Sequence, residues 1–378
     1  MKTFSRSALT LLISLSVGLA AAQINAAPLT DRVDRPSHLT ANAAQFPLID
    51  IQSINDRQVM VGESGHILLW TADGKIKQVD VPVDLLLTAV HFVDPQNGWV
   101  VGHDGVVLHS TDGGQHWIKQ IDGRDISKTM QVWAESALAD AEKASEAAPD
   151  DEDLEIALDN AYFALDDVEA GSEAGPSRPL LDVWFRDVNE GWAVGAYGMF
   201  IHTTDGGSTW NYVAALPNPD RMHLNTVLGL TDSTLLVGGE GGRMYRSQDN
   251  GQSWTASRNP SQASIYKILE LKDGSLLALG FGGELLNSQD QGASWTDLQS
   301  QTRVSLYNGT QLADGSVLLA GQRGTLLYSR DGKHFNVWKS KSSASWLGVA
   351  ESSPQKLMLI GSKGLQRLSL SELKEQLQ

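Results

Sequence analysis

Between residues 45 and 370 the chain alternates short apolar runs with turn clusters rich in Gly, Asp, Ser and Asn, the pattern of strands joined by tight turns. The alternation itself repeats. An apolar run leads into Gly-x-x-Gly, a second apolar run follows, and Ser/Thr-x-Asp-x-Gly-x-x-Trp closes the phrase. Clear copies run from Gly102 through Asp112 to Trp117, Gly195 through Asp205 to Trp210, Gly239 through Asp249 to Trp254, and Gly280 through Asp290 to Trp295. Degraded copies begin at Gly62 (no closing Trp), at Gly321 (Asp331 followed by Phe335) and at Gly361, where the phrase stops at Leu368. The seven leading glycines are separated by 40, 93, 44, 41, 41 and 40 residues. Repeats of this length made of short strands are propeller blades. The pattern therefore predicts an all-β fold, a seven-bladed β-propeller.

Each blade can be laid on four strands. In the second copy these are an inner strand over 87–93, a second over 99–101, a third over 106–110 and a fourth beginning at Trp117. Glycine suits the Gly-x-x-Gly turn through its access to positive φ. In the closing phrase the Asp carboxylate is placed to accept turn amides, and the Trp to bury a large apolar face beside the next sheet. Asp112, Asp205, Asp249, Asp290 and Asp331, with Trp117, Trp210, Trp254 and Trp295, thus read as structural staples rather than catalysts or calcium ligands. The last copy lacks a fourth strand, and an open sheet edge invites aggregation. Residues 29–45 are expected to return and supply that strand, with Pro36 tolerated on its outer edge.

The long interval is different in kind. Residues 124–175 hold 15 acidic and 3 basic side chains, a net −12 of the chain's −16. Two amphipathic helices fit. The first carries Met130, Trp133, Ala137, Leu138, Ala141 and Ala144 on one face, and the second Leu154, Leu158, Ala161, Tyr162, Leu165 and Val168. The break falls at Pro149, and Asp151 to Asp153 suit a helix N-terminus. Residues 124–176 therefore read as an acidic helical hairpin inserted between the second and third blades, packed on itself or serving as a docking arm.

At the N-terminus, Lys2 and Arg6 precede an uncharged apolar run over 8–22, followed by small residues. That is the form of a secretory signal peptide, placed at 1–27, with the propeller over 28–378 and a periplasmic location. The run is short for a bilayer span, and no direct membrane span is expected after cleavage. The chain has no Cys, so disulfides and thiolate metal sites are excluded. The negative charge argues against nucleic acid, whose phosphates call for clustered Lys and Arg. No G-x-S-x-G elbow, H-E-x-x-H helix or G-x-x-x-x-G-K-[ST] loop occurs, so no catalytic residue, metal or cofactor is expected.

In an up-and-down blade the Gly-x-x-Gly tips and the inter-blade connections share one face, opposite the Asp-containing turns. The repeated frame is constant, whereas the tips vary, so partner recognition is expected on the tip face. Candidate residues are His103, Asp104, Tyr197, Arg221, Arg243, Phe281, Arg323 and Lys363, with Trp133 and Tyr162 on the hairpin.

The phrases from Gly98 to Trp117 and from Gly191 to Trp210 resemble the photosystem II stability/assembly factor family, over roughly residues 45–370. The resemblance implies a seven-bladed propeller with Asp boxes and no cofactor. It implies a chaperone-like role in holding membrane-protein subunits, and many similar proteins occur as exported envelope components in bacteria without photosynthesis. The expected partner is an envelope or inner-membrane protein complex, an exporter among the candidates. The acidic insertion and the sparse arginines at the tips depart from the phototroph pattern. The alternative is a glycan-binding or sialidase-like hydrolase propeller, since sialidases share the Asp-containing phrase.

Overall fold

In the computed structural model, the described residues are 30–375 except 72, 174, 176 and 341. The expected signal segment at 1–27 lies outside them. Seven antiparallel sheets follow one another over residues 48–78, 87–121, 180–212, 224–256, 265–297, 306–339 and 346–369. Six have four strands and the seventh has three, and the inner strand of the first meets that of the seventh to close the ring. The fold is the seven-bladed propeller expected, with an inserted helical hairpin.

The core lies between blades rather than within them. The Trp117 cluster includes Val59, Val61, Ile67 and Leu69 from the blade before it. Trp210, Trp254 and Trp295 likewise sit among apolar side chains of their preceding blades. Each indole is at most 8% exposed. His109 and His202, at equivalent strand positions, stack on Trp99 and Trp192 with ring centroids 4.4 and 4.6 Å apart. Burial lowers the pKa of both imidazoles.

The two glycines of each tip have different reasons. The first is extended, not left-handed: Gly102 has φ −172°. It faces the first residue of the inner strand, as in Leu87↔Gly102 and Leu180↔Gly195, and a Cβ there would strike the carbonyl of the residue before that strand. Close approach, not positive φ, demands glycine at this position. The second glycine does need positive φ, as at Gly105 (+66°), and Asp104, Tyr197 and Arg323 just before it are also left-handed.

The last blade corrects an expectation. Among the described residues, 30–45 supply it no fourth strand. They run beside the first blade's outer edge instead, where Ser37 N donates to Val81 O (2.8 Å) and Thr40 N to Gln78 Oε1 (2.8 Å). Ala44 and Gln45 then cap the last blade's tip at Gly364. The C-terminal helix Leu370–Glu375 covers the sixth and seventh blades, burying Leu370 and Leu373. Burying apolar side chains protects this region without another row of ladder hydrogen bonds.

The insertion comprises α1 (Gly123–Ala147) and α2 (Glu152–Glu173). Buried Asp122 caps α1, accepting from Arg124 N (3.0 Å), and Asp125 returns the bond in a capping box. Asp34 pairs with both Lys119 (2.7 Å) and Arg124 (2.9 Å), fastening the N-terminal segment to the hairpin base. The hairpin is not merely packed on itself. Ile126, Met130, Ala134 and Val168 join the apolar cluster of the second and third blades, while no residue of 137–160 is buried.

Candidate functional site

Backbone bonds assign the faces. Tip amides reach the inter-blade segments, as His103 N does to Leu86 O (2.8 Å) and Ala196 N to Pro179 O (3.0 Å). The Asp-containing turns instead bond the hairpin turn between the first two strands, as Gly113 N does to Gln96 O (2.9 Å). The Asp turns are uniform. Asp112 Oδ1 accepts from Gln115 N and His116 N (both 3.0 Å), and the amide of Thr209, Ser253 or Ser294 reaches Asp205, Asp249 or Asp290 at 2.8–2.9 Å. Asp331 accepts from Lys333 N and His334 N. Trp117 and Trp254 donate their indole N–H to Gly114 O and Gly251 O, while those of Trp210 and Trp295 find no acceptor among the described residues.

The tip face is varied. His103 is exposed, and Asp104 beside it adjoins the start of α1 at the second tip. Tyr197 is 54% exposed, its ring 5.0 Å from His223 and under the Arg178 guanidinium. Arg221 pairs with Asp167 of α2, and Arg243 pairs with Asp220. Phe281 is 61% exposed, and Arg323 and Lys363 are exposed on later blades. Trp133 is half-buried against Tyr212, and Tyr162 donates to Glu142 Oε1 (2.8 Å) across the hairpin. Tyr197, Arg221 and Trp133 gather around blade three. The remaining candidates are spread around the ring and do not form one cluster.

The sequence reading missed the central channel, whose mouth opens on this same face because every inner strand starts there. The mouth, about 300 Å³, takes side chains from all seven inner strands, including Thr88, Asn225, Tyr266 and Tyr307. Each inner strand has a bulge directly after its first residue, and the third residues are Asp50, Ala89, Asp182, Thr226, Lys267, Asn308 and Gly348. Asp182 accepts from Lys267 Nζ (3.0 Å), Thr226 Oγ1 (2.8 Å) and the Val183 and Val227 amides. Asp50 accepts from Asn308 Nδ2 (3.0 Å) and the amides of Ile51 and Val90. Burial raises the Asp50 pKa, with Lys267 acting against it. Burial opposes the Lys267 charge too, but Asp182 and Asp50 outweigh it and raise its pKa. At Gly348 a Cβ would come within 2.9 Å of the Ile51 and Ile360 side chains, so the first and seventh blades pack closely there. The available signal was a polar residue recurring at the third place of otherwise apolar strands.

Both carboxylates line the mouth and each accepts from at least three protein donors. Among the described residues, no group of three or more His, Asp or Glu is placed to hold a metal. No described helix is long and apolar enough to cross a membrane.

Beside blade three, α2 and the loop at 217–221 flank a groove of about 370 Å³ lined by Trp133, Phe163, Tyr212, Leu216, Pro219 and Arg221. Asp167 is held between Arg178 (3.2 Å) and Arg221, which fixes α2 against the blade.

The comparisons agree with this architecture. Residues 69–135 and 173–258 match the family described as photosynthesis system II assembly factor YCF48. The chain is 25% identical over 182 residues to the photosystem II assembly lipoprotein Ycf48 of Synechococcus sp. (strain CC9902), covering 48% of this chain and 39% of that protein. Among solved structures, YCF48 bound to D1 peptide has TM-score 0.58 and 17% identity, covering 89% of this chain and 96% of the other. The GH74 enzyme of Niastella koreensis has TM-score 0.55 and 12% identity over 86% of this chain and 52% of the other, a likeness of fold alone. The chain spans about two fifths of the length of the curated relative it matches.

Proposed function

From the premise that this chain carries the repeats of the photosystem II stability/assembly factor-like family, we propose that it is a non-enzymatic protein-binding propeller. In this reading it is exported and holds a membrane or envelope protein complex during assembly. One observation carries the proposal: the Asp-turn face repeats, whereas the tip face varies from blade to blade and exposes Tyr197 and Phe281. Large exposed aromatic side chains favour protein recognition, since they bury much area with few rotamers to order. The solved YCF48 structure with D1 peptide supports a peptide segment of a membrane protein as the kind of client. The uncharged run over 8–22 supports a periplasmic location, with an inner-membrane complex, an exporter among the candidates, as partner.

A hydrolase would need two carboxyl groups flanking its substrate. The channel carboxylates are instead committed to strand amides, Asn308, Thr226 and Lys267.

The test places a photo-crosslinking amino acid at Tyr197, at Phe281 and, on the opposite face, at His116, in the full chain in intact cells. Crosslinks to one membrane-associated protein are expected from the first two positions and not from the third. Equal labelling from both faces, or turnover of a glycoside panel abolished by Asp50→Asn, would sink the proposal.

A further inference from the structure

Of the eleven large apolar side chains exposed among the described residues, four lie on the hairpin: Val132, Ile156, Tyr162 and Phe163. Two of these share a stripe. Ile156 (58% exposed) and Phe163 (71% exposed) are seven residues apart on α2, so they lie on the same side of the helix two turns apart. Phe163 lines the groove beside blade three, facing Trp133, Tyr212 and Leu216. Water-exposed apolar surface of this kind, gathered against a concave wall, marks an interaction site more often than a bare surface does.

The charges around the groove select its occupant. Asp159 and Asp166 lie one turn to either side of Phe163 and make no ion pair among the described residues. The groove's own cation, Arg221, shares the Asp167 carboxylate with Arg178, and Asp220 pairs with Arg243, so the arginines here are already paired. The surrounding hairpin carries a net −12 over 124–175. A second copy would set two such hairpins against each other, and a nucleic acid or an anionic bilayer would meet the same repulsion. A positively charged segment with apolar side chains meets both features. The walls are also preformed, because Asp167 is clamped by Arg178 and Arg221 and Trp133 rests 5.0 Å from Tyr212, so little ordering is needed on binding.

We infer that this groove takes a cationic amphipathic segment of a partner protein, seating an apolar side chain on Phe163 while its Lys or Arg groups meet Asp159 and Asp166. The inference rests on the protein-binding reading above and names the chemistry of one partner segment. The test uses the full chain and a fluorescent amphipathic peptide of Leu and Lys, against its counterpart with Glu for Lys, read by anisotropy. The Lys peptide is expected to bind and the Glu peptide not. Phe163→Ala should weaken binding about tenfold, the order of a well-packed anchor. Asp159→Asn with Asp166→Asn should weaken it several-fold and flatten its salt dependence. Ile118→Ala, exposed on the outer strand of the second blade, should leave it unchanged. All these side chains are exposed, so thermal unfolding should hold steady and exclude misfolding as the cause.

Unchanged binding in Phe163→Ala, equal binding of the Glu peptide, or no binding of either would overturn the inference. So would Phe163-dependent self-association, or Phe163-dependent sedimentation with phosphatidylcholine vesicles in place of peptide binding. None of these results touches the crosslinking from Tyr197 and Phe281, so the groove can fail while the propeller reading stands.

Discussion

Trp117, Trp210, Trp254 and Trp295 each carry one blade's contribution into the interface with the preceding blade, which makes a single side chain count twice. It closes its own turn and fills the gap between sheets. Trp254 illustrates the stake: it is 8% exposed, lies edge-on to Phe200 of the preceding blade at 5.5 Å and donates to Gly251 O. Trp254→Ala is expected to destabilise the fold by about 3–5 kcal/mol, the range for large aromatic truncations in cores. Urea unfolding checks this, with a lower midpoint at an unchanged slope. The same scale explains Gly105, whose φ of +66° and closeness to Gly123 leave no room for a Cβ.

The hairpin behaves as two elements with different duties. Its base is part of the propeller core through Ile126, Met130, Ala134 and Val168. Its distal turns, 137–160, are exposed or half-buried throughout. Met130→Ala is therefore expected to cost about 2–5 kcal/mol by leaving a cavity, measured by urea unfolding. Replacing 137–160 by a short turn should shift the melting temperature by only a few degrees at most in a chain of this size, measured calorimetrically. A melting loss as large as that of Met130→Ala would show that the distal turns also carry core packing. Asp167, clamped by two arginines, governs where α2 stands, so it bears on the groove more than on the ring.

For the whole molecule, ring closure and the channel dominate. The inner strands converge on a network in which Lys267 bridges the fifth blade to Asp182 on the third. Lys267→Ala would leave Asp182 buried without its cation, and a loss of about 3–5 kcal/mol is expected from broken buried pairs, measured by urea unfolding. Acid should act elsewhere. Hydrogen bonds in the turns hold the Asp112 and Asp249 carboxyls down at about 2 despite some burial at Asp112, and Asp205, Asp290 and Asp331 are also lowered. A lowered folded pKa contributes stability that is present above the unfolded value, about 3.9, and is lost as pH falls through the folded one. The melting temperature is therefore expected to drop between about pH 4 and pH 2 as several turns protonate together. Asp50 has the opposite sign: its pKa is raised, so its contribution favours the fold at low pH and fades as pH rises. A flat melting curve over that acid window would show that the turn carboxylates contribute little.

The sequence by itself determined the repeat, and with it the number of blades, the hairpin's place and the separation of a uniform face from a variable one. These follow from local rules: strand alternation, turn residues and helical spacing act over a few residues and leave their period in the chain. Tertiary structure alone decided what depends on residues far apart. The segment at 30–45 has no alternation that distinguishes one sheet edge from another, and it settled against the first blade through Ser37 and Thr40. Asp50 and Asn308 are 258 residues apart, and only ring closure brings them together. Nothing in the repeat set blade three apart, yet Trp133 of the insertion packs on its Tyr212 and lines one groove with Arg221 from the loop that follows, because the insertion leans on that blade. The first tip glycine was legible as glycine but not for its reason, since a clash with a neighbouring carbonyl is a property of packed strands and not of a turn.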